Sequence, residues 1–247
     1  MMIPLSIAII GGGKMGKEIE HLASERAIVV KKIFTRKNNS HGSGLTRESL
    51  NGVDVCLEFT TPSEAPYNIE AAFAAGKNVV CGTTGWLHQH ETVQKLAEQH
   101  NVGFLYASNF SIGMNILYEL VSNAAFLIDK FDDFDMYIHE VHHRNKLDAT
   151  SGTALHLASI LLRNVARKKE IIHDSPQRPL LPHQIHVTST RAGYWAGQHK
   201  VGFDSETDSI ELTHTARSRK GFAFGALMAA IWLKDKKGVY TMKDILL

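Results

Sequence analysis

The opening of the chain limits its fold more than any other stretch. Leu5 to Ile10 is a near-continuous apolar run, as expected of a strand covered on both faces of a parallel sheet. GGGKMG follows at once, and KEIEHLASE then continues as a helix. A strand, a glycine turn spaced G-x-G-x-x-G (Gly11, Gly13, Gly16) and a helix, in that order, predict a dinucleotide site. The glycines permit the tight turn and the close approach of a pyrophosphate, while unpaired amides at the helix N-terminus hold its charge. Gly11, Gly12, Gly13, Lys14, Met15 and Gly16 are therefore the first cofactor candidates. A Walker-type phosphate loop is excluded, because Lys14 does not stand in a G-K-[ST] ending.

Strands and helices go on alternating. Strands are expected at Ile28 to Phe34, Val53 to Thr60, Asn78 to Cys81 and Gly103 to Ala107, with helices at Ser63 to Ala75 and near His88 to His100. This βαβ rhythm predicts a Rossmann-type α/β domain. The second strand ends where a carboxylate usually receives the adenosine ribose hydroxyls, yet Thr35, Arg36 and Lys37 stand there. With no acid to repel a 2′-phosphate and two cations to attract it, the expected cofactor is NADPH, with NADH possible. The plainer alternative is that Arg36 and Lys37 are solvated loop charges. Ligands of such folds lie at the carboxyl ends of the strands, which adds Phe59, Gly82, Thr83, Thr84, Ala107, Ser108, Asn109 and Phe110. Taken singly, each of these also fits simple turn chemistry.

After Phe110 the pattern changes. A helix over Gly113 to Ile128 precedes a strand, Phe134 to Val141, and then the stretch Glu140 to Ala154, EVHHRNKLDATSGTA. Another helix, Thr153 to Val165, follows with Leu157, Ile160, Leu161 and Val165 on one face. The stretch is thus a strand-to-helix loop in which Ser151 or Thr150 can cap the helix and Gly152 lets a ligand approach the backbone. A helix N-terminus binds carboxylate or phosphate, and His142, His143 and Lys146 bring proton donors to the same place. A small anionic substrate that needs a proton fits this loop. The competing readings are a solvated basic surface and a zinc site from His139, His142 and His143, whose spacing departs from the helical H-E-x-x-H pattern. Beyond a Pro-rich connection around Ser175 to His183, the segments HQIHVTSTRAG, HKVGFDS and DSIELTHTA resemble an antiparallel meander. A second, α+β domain with a mostly antiparallel or mixed sheet is expected over residues 112–218, leaving 1–111 and 219–247 to the first. Phe222 to Trp232 is apolar enough to require burial, back against the first domain, and Met242 to Leu247 reads as a short tail.

The charge balance excludes some partners. A net charge of +2 and a pI near 8.5, spread along the chain, do not point to nucleic acid. No apolar run approaches membrane-spanning length, and MMIPLSIAII lacks a basic segment before it and runs into glycines, so it reads as a first strand rather than a leader. Cys56 and Cys81 sit in apolar, strand-like runs and are expected as reduced buried thiols, which fits a cytoplasmic protein.

Taken together, GGGKMG, EFTTP, GTTG, ASNFSIG, EVHHRNKLDATSGTA, TRAG, LTHTARSR and FAFGAL…WL span nearly the whole chain and resemble the 4-hydroxy-tetrahydrodipicolinate reductase family, also called dihydrodipicolinate reductase. The middle motif is close to the family signature E-x-H-H-x-x-K-x-D-A-P-S-G-T-A. The resemblance implies an oxidoreductase of lysine and diaminopimelate biosynthesis that reduces a cyclic hydroxy dicarboxylate with loss of water. It implies His142 as proton donor and acceptor, Lys146 as a second proton donor, and His143, Ser151, Gly152 and Thr153 as substrate ligands. It places the nicotinamide cofactor against Gly11 to Gly16, Gly82 to Thr84 and Ala107 to Phe110, and implies a homotetramer formed through the sheet of the second domain. Three departures stand out: Thr150 replaces the usual proline, the glycine turn is one residue shorter than the commoner form, and Thr35 replaces an acidic residue. Two rivals share the first-domain signature, a redox-sensing NADP-binding module without chemistry and an aspartate dehydrogenase-like reductase.

Overall fold

The computed structural model describes residues 4–173 and 176–247. Met1 to Ile3, at the start of the expected first strand, and Ser175, at the start of the expected Pro-rich connection, lie outside the described residues. The chain forms two compact units, Met1–Ser111 with Arg219–Leu247, and Ile112–Ser218.

In the first unit, β1 (Ser6–Ile10), β2 (Val29–Phe34), β3 (Val55–Glu58), β4 (Asn78–Cys81) and β5 (Gly103–Tyr106) alternate with α1 (Lys14–Ser24), α2 (Ala65–Ala74) and α3 (His90–Gln99). The sheet is wholly parallel in the order β11-β5-β4-β3-β1-β2, where β11 is Gly238–Tyr240. Burial explains the continuous apolar runs. Ala8, Ile10, Cys56, Val79 and Cys81 enter a core with Ile69, Phe73 and Trp86, while the alternate residues Ile7, Ile9, Leu57 and Val80 are equally buried on the other face. Both cysteines are free, buried thiols.

The apolar helix α6 (Lys220–Leu233) does pack on this unit, against α1 and strands β3 to β5. Asn78 clamps its end: the side-chain amide donates to the carbonyls of Leu233 and Lys234 at 2.8 and 2.9 Å and accepts from the Gly103 amide at 2.7 Å. Helix C-termini leave carbonyls unsatisfied, and here a buried side chain takes them up. β11, just before the expected tail, and a one-turn α7 (Lys243–Leu246) within it are too short for the sequence pattern to distinguish.

The second unit contains α4 (Ile112–Ile128), β6 (Asp135–His142), α5 (Gly152–Asn164), β7 (Glu170–Ile172), β8 (Gln184–Arg191), β9 (Gln198–Asp204) and β10 (Ser209–Thr215). Its sheet order is β10-β9-β6-β8-β7. The expected meander is only half right. β9 and β10 form an antiparallel hairpin, but β6 lies between β8 and β9, antiparallel to β9 and parallel to β8. The sheet is therefore mixed. A parallel partner fifty residues away leaves no local trace, so sequence neighbours looked like sheet neighbours.

On the inward face the strands change character together. Ile138 of β6 lies beside Val187 and Val201, an apolar row in the core under α4 and α5. One row on, Glu140 lies between Ser189 and His199, and the next pairs His142 with Arg191. The sheet thus turns polar at the end where β6 runs into its loop.

Candidate functional site

The glycine turn has the geometry its spacing predicts. Gly11 has φ +119°, and a Cβ there would lie 2.1 Å from the Phe59 carbonyl oxygen. Gly16 is buried, and a Cβ on it would meet the Gly11 oxygen at 1.9 Å. Beside Gly13, the residue just before α1, a Cβ would meet nothing within 4 Å. The first glycine makes the turn, the third lets α1 press on it, and the second leaves space for a phosphate. This open cradle fits a dinucleotide.

A cleft of about 370 Å³ lies over the turn, lined by Gly11, Gly12, Gly13, Thr35, Arg36, Asn39, Phe59, Thr60 and Glu64 among others. These residues follow β1, β2 and β3, where the strand order reverses, the usual ligand position of an open α/β sheet. Lys14, Met15 and Gly16 form the first turn of α1. Lys37 is exposed and outside the lining, whereas Glu64 is inside it. The expectation of two cations and no acid therefore needs correcting to one of each. Glu64 is already engaged, since its Oε2 accepts the His41 amide hydrogen at 2.8 Å.

Gly82 to Thr84 and Ala107 to Phe110 follow the neighbouring strands β4 and β5 and are absent from this lining. Phe59 links them to it. Its ring lies 5.7 Å from that of Phe110 and fills the space beside Gly82, where a Cβ would approach it to 2.1 Å. Thr83 is buried, and its hydroxyl donates to Glu58 Oε2 at 2.5 Å and accepts the Thr60 amide hydrogen at 2.8 Å. Thr83 therefore holds the loop ends together from within. Burial raises the Glu58 carboxyl above its ordinary range, against the hydrogen bonds from Thr60, Thr83, Asn68 and Cys81.

In the second unit, Glu140 organises the loop. Its Oε1 accepts the Ser151 amide at 3.0 Å, Ser189 Oγ at 2.7 Å and Arg191 Nη2 at 2.8 Å. Its Oε2 accepts the Ser151 hydroxyl and lies 3.3 Å from His142 Nε2 and 3.4 Å from His199 Nε2. Burial alone would raise this carboxyl, but donors from His142, His199, Ser151 and Arg191 override it and hold it far below the usual carboxylate range. Burial lowers His199 below its ordinary range, against the raising effect of Glu140.

Ser151 is the cap of α5, accepting from the Ala154 amide at 3.2 Å. The Thr150 hydroxyl instead lies 3.1 Å from His173 Nδ1. Gly152 is exposed, with nothing within 4 Å of where a Cβ would stand, and Thr153 follows it in the first turn. His143 is half-buried, its amide bonded to the Trp195 carbonyl at 2.9 Å. Lys146 Nζ donates to both Asp148 oxygens at 2.8 Å, and those bonds lower the Asp148 carboxyl despite its partial burial.

The zinc trio does not assemble. His139 lies on the opposite face of β6 from His142, its Nδ1 2.8 Å from Thr188 Oγ1. Among the described residues, the ligating atoms that do gather belong to Glu140, His142 and His199, within 4.8 Å of one another, around a carboxylate already claimed by Ser151, Ser189 and Arg191. Glu140, Arg191 and His199 had no assigned role from sequence. An acid and a histidine at inward positions of otherwise apolar alternation were the available signal.

Residues 5–110 and 113–246 match the family profiles described as dihydrodipicolinate reductase, N-terminus and C-terminus. A 4-hydroxy-tetrahydrodipicolinate reductase of Christiangramia forsetii is 38% identical over 242 residues, covering 98% of each chain. Another, from Zymomonas mobilis, is 40% identical over 250 residues, covering 98% of this chain and 97% of its own. Among solved structures, the dipicolinate-bound dihydrodipicolinate reductase from Paenisporosarcina sp. TG-14 superimposes with a TM-score of 0.79 at 24% identity, covering 99% of this chain and 100% of its own. An aspartate dehydrogenase from Thermotoga maritima reaches 0.50 at 14% identity, covering 95% of this chain and 98% of its own, a likeness of fold alone. With profiles over both units and relatives matched end to end, the chain belongs to the dihydrodipicolinate reductase family.

Proposed function

We propose that this member of the family uses NADPH, with NADH as a poorer donor, and protons from His142 and Lys146 to reduce 4-hydroxy-tetrahydrodipicolinate to tetrahydrodipicolinate and water in lysine and diaminopimelate biosynthesis. The observation that carries this is the joint presence of a glycine cradle at the switch point of one sheet and a capped helix end beside His142, His143 and Lys146 in the other unit. When bound, the nicotinamide cofactor supplies the hydride. Gly11 to Gly16 and the N-terminus of α1 hold its phosphates, Thr35 and Arg36 its adenosine ribose, and the ends of β4 and β5 its other half. Gly152, Thr153 and His143 bind the carboxylates of the substrate at the α5 N-terminus, with Ser151 keeping that end in place. His142 and Lys146 supply the protons that hydride addition and departure of the hydroxyl require. Four copies assemble through the outward face of the mixed sheet, and the enzyme works in the cytoplasm.

Mixing the protein with the condensation product of pyruvate and aspartate semialdehyde is expected to consume NADPH, followed by absorbance; no consumption refutes the activity. Lys146→Ala and His142→Ala are expected to lose turnover by about a hundredfold while binding NADPH normally. Near wild-type rates in both would remove the catalytic assignment.

A further inference from the structure

An imidazole has two nitrogens, and the packing around β6 gives those of His142 different surroundings. Nε2 is buried, has no hydrogen-bond partner and lies 3.3 Å from Glu140 Oε2, the carboxylate oxygen it faces. An ionised carboxylate only accepts, so Nε2 is favoured there when it carries hydrogen. Arg144 and Lys146 of the loop and Arg191 at the end of β8 are cations with no acceptor to offer it. His199 sets the plane of the ring, meeting it edge to face at 5.1 Å between centroids. On the ring's Nδ1–Cε1 edge stands Gly197, with φ +151°. A Cβ there would lie 2.9 Å from Cε1 and 3.2 Å from Nδ1, so a side chain at 197 would close that edge.

We propose that Glu140 locks His142 with hydrogen on Nε2, and that Nδ1 is the nitrogen that hands the proton to the substrate across the space Gly197 leaves clear. The inference rests on the reading of His142 as a proton donor and makes Glu140 and Gly197 its positioning residues. In the doubly protonated ring the Nδ1–H bond breaks, its electron pair stays on nitrogen, and the proton passes to the bound substrate. The ring is left neutral, with Nε2–H still against Glu140. Asp and Glu beside histidines commonly set the tautomer in this way, through the nitrogen that does not react.

Long-range proton–nitrogen correlation spectra of the uniformly ¹⁵N-labelled wild-type protein, with the His142 signal assigned through His142→Gln, test this directly. The neutral ring is expected to show hydrogen on Nε2 and a bare Nδ1; the reverse overturns the proposal. Glu140→Gln presents a group that donates as well as accepts, and is expected to mix the tautomers and lower kcat by about tenfold or more at unchanged cofactor Kd. Unmixed tautomers with full kcat would also overturn it. Gly197→Ala is expected to lower kcat with Nε2–H retained, which loss of folding would not produce. Should His142→Gln itself keep turnover, the broader reading fails; a wrong tautomer with an inactive His142→Gln fails this inference alone.

Discussion

Ser151 settles a question that residue types left open. Both Thr150 and Ser151 carry a hydroxyl suited to capping, but only Ser151 bonds the first turn of α5 while its own amide and hydroxyl bind Glu140. The cap is thereby tied to the strand, and substituting the usual proline by Thr150 leaves it intact. Arg36 lines the cleft, and the proposed preference for NADPH is tested there. Arg36→Ala is expected to weaken NADPH by roughly tenfold and leave NADH nearly unchanged, read as dissociation constants for both. Equal constants in the wild type would end the case for NADPH.

Local elements were legible because local patterns make them. The strand, glycine turn and α1 needed one short stretch, and β6, the loop and α5 another. β7 and β11, at three residues each, are too short to display a period, and the place of β8 depends on a partner far off in sequence. The same limit hid the role of Glu140, which lay in plain view within the signature but acquires Ser189 and His199 only through strand register. α6 was expected to pack where it does, yet its anchor was not foreseen, since nothing near Asn78 announces it. Asn78→Ala is expected to lower stability by about 3 kcal/mol in denaturant unfolding, because several buried backbone groups lose their partner at once. A change below about 0.5 kcal/mol would show that the clamp is incidental.

Across the whole molecule, two buried carboxyls answer acid in opposite senses. Glu58 in the first unit is raised from 4.5, so its contribution is complete below that value and is lost as pH climbs through its folded pKa. Glu140 in the second is lowered from 4.5, so its contribution is complete above that value and is lost as pH falls toward its folded pKa. Denaturant unfolding from pH 7 down to about 4 follows both. The wild type is expected to gain on Glu58→Gln as pH falls toward about 4.5, and to lose ground to Glu140→Gln below it. Either trend reversed would refute the corresponding assignment.

The two cysteines have a consequence for how the molecule can be studied. Burial pushes the Cys56 thiol up to about 12, and burial followed by Glu58 pushes Cys81 up as well. Neither forms thiolate near neutral pH, so maleimide and haloacetyl reagents pass over the folded chain. A single cysteine placed at Leu147, 98% exposed in the signature loop, would then be the one attachment point for a fluorophore or spin label, so that the loop's environment can be followed during turnover with the native thiols left in place.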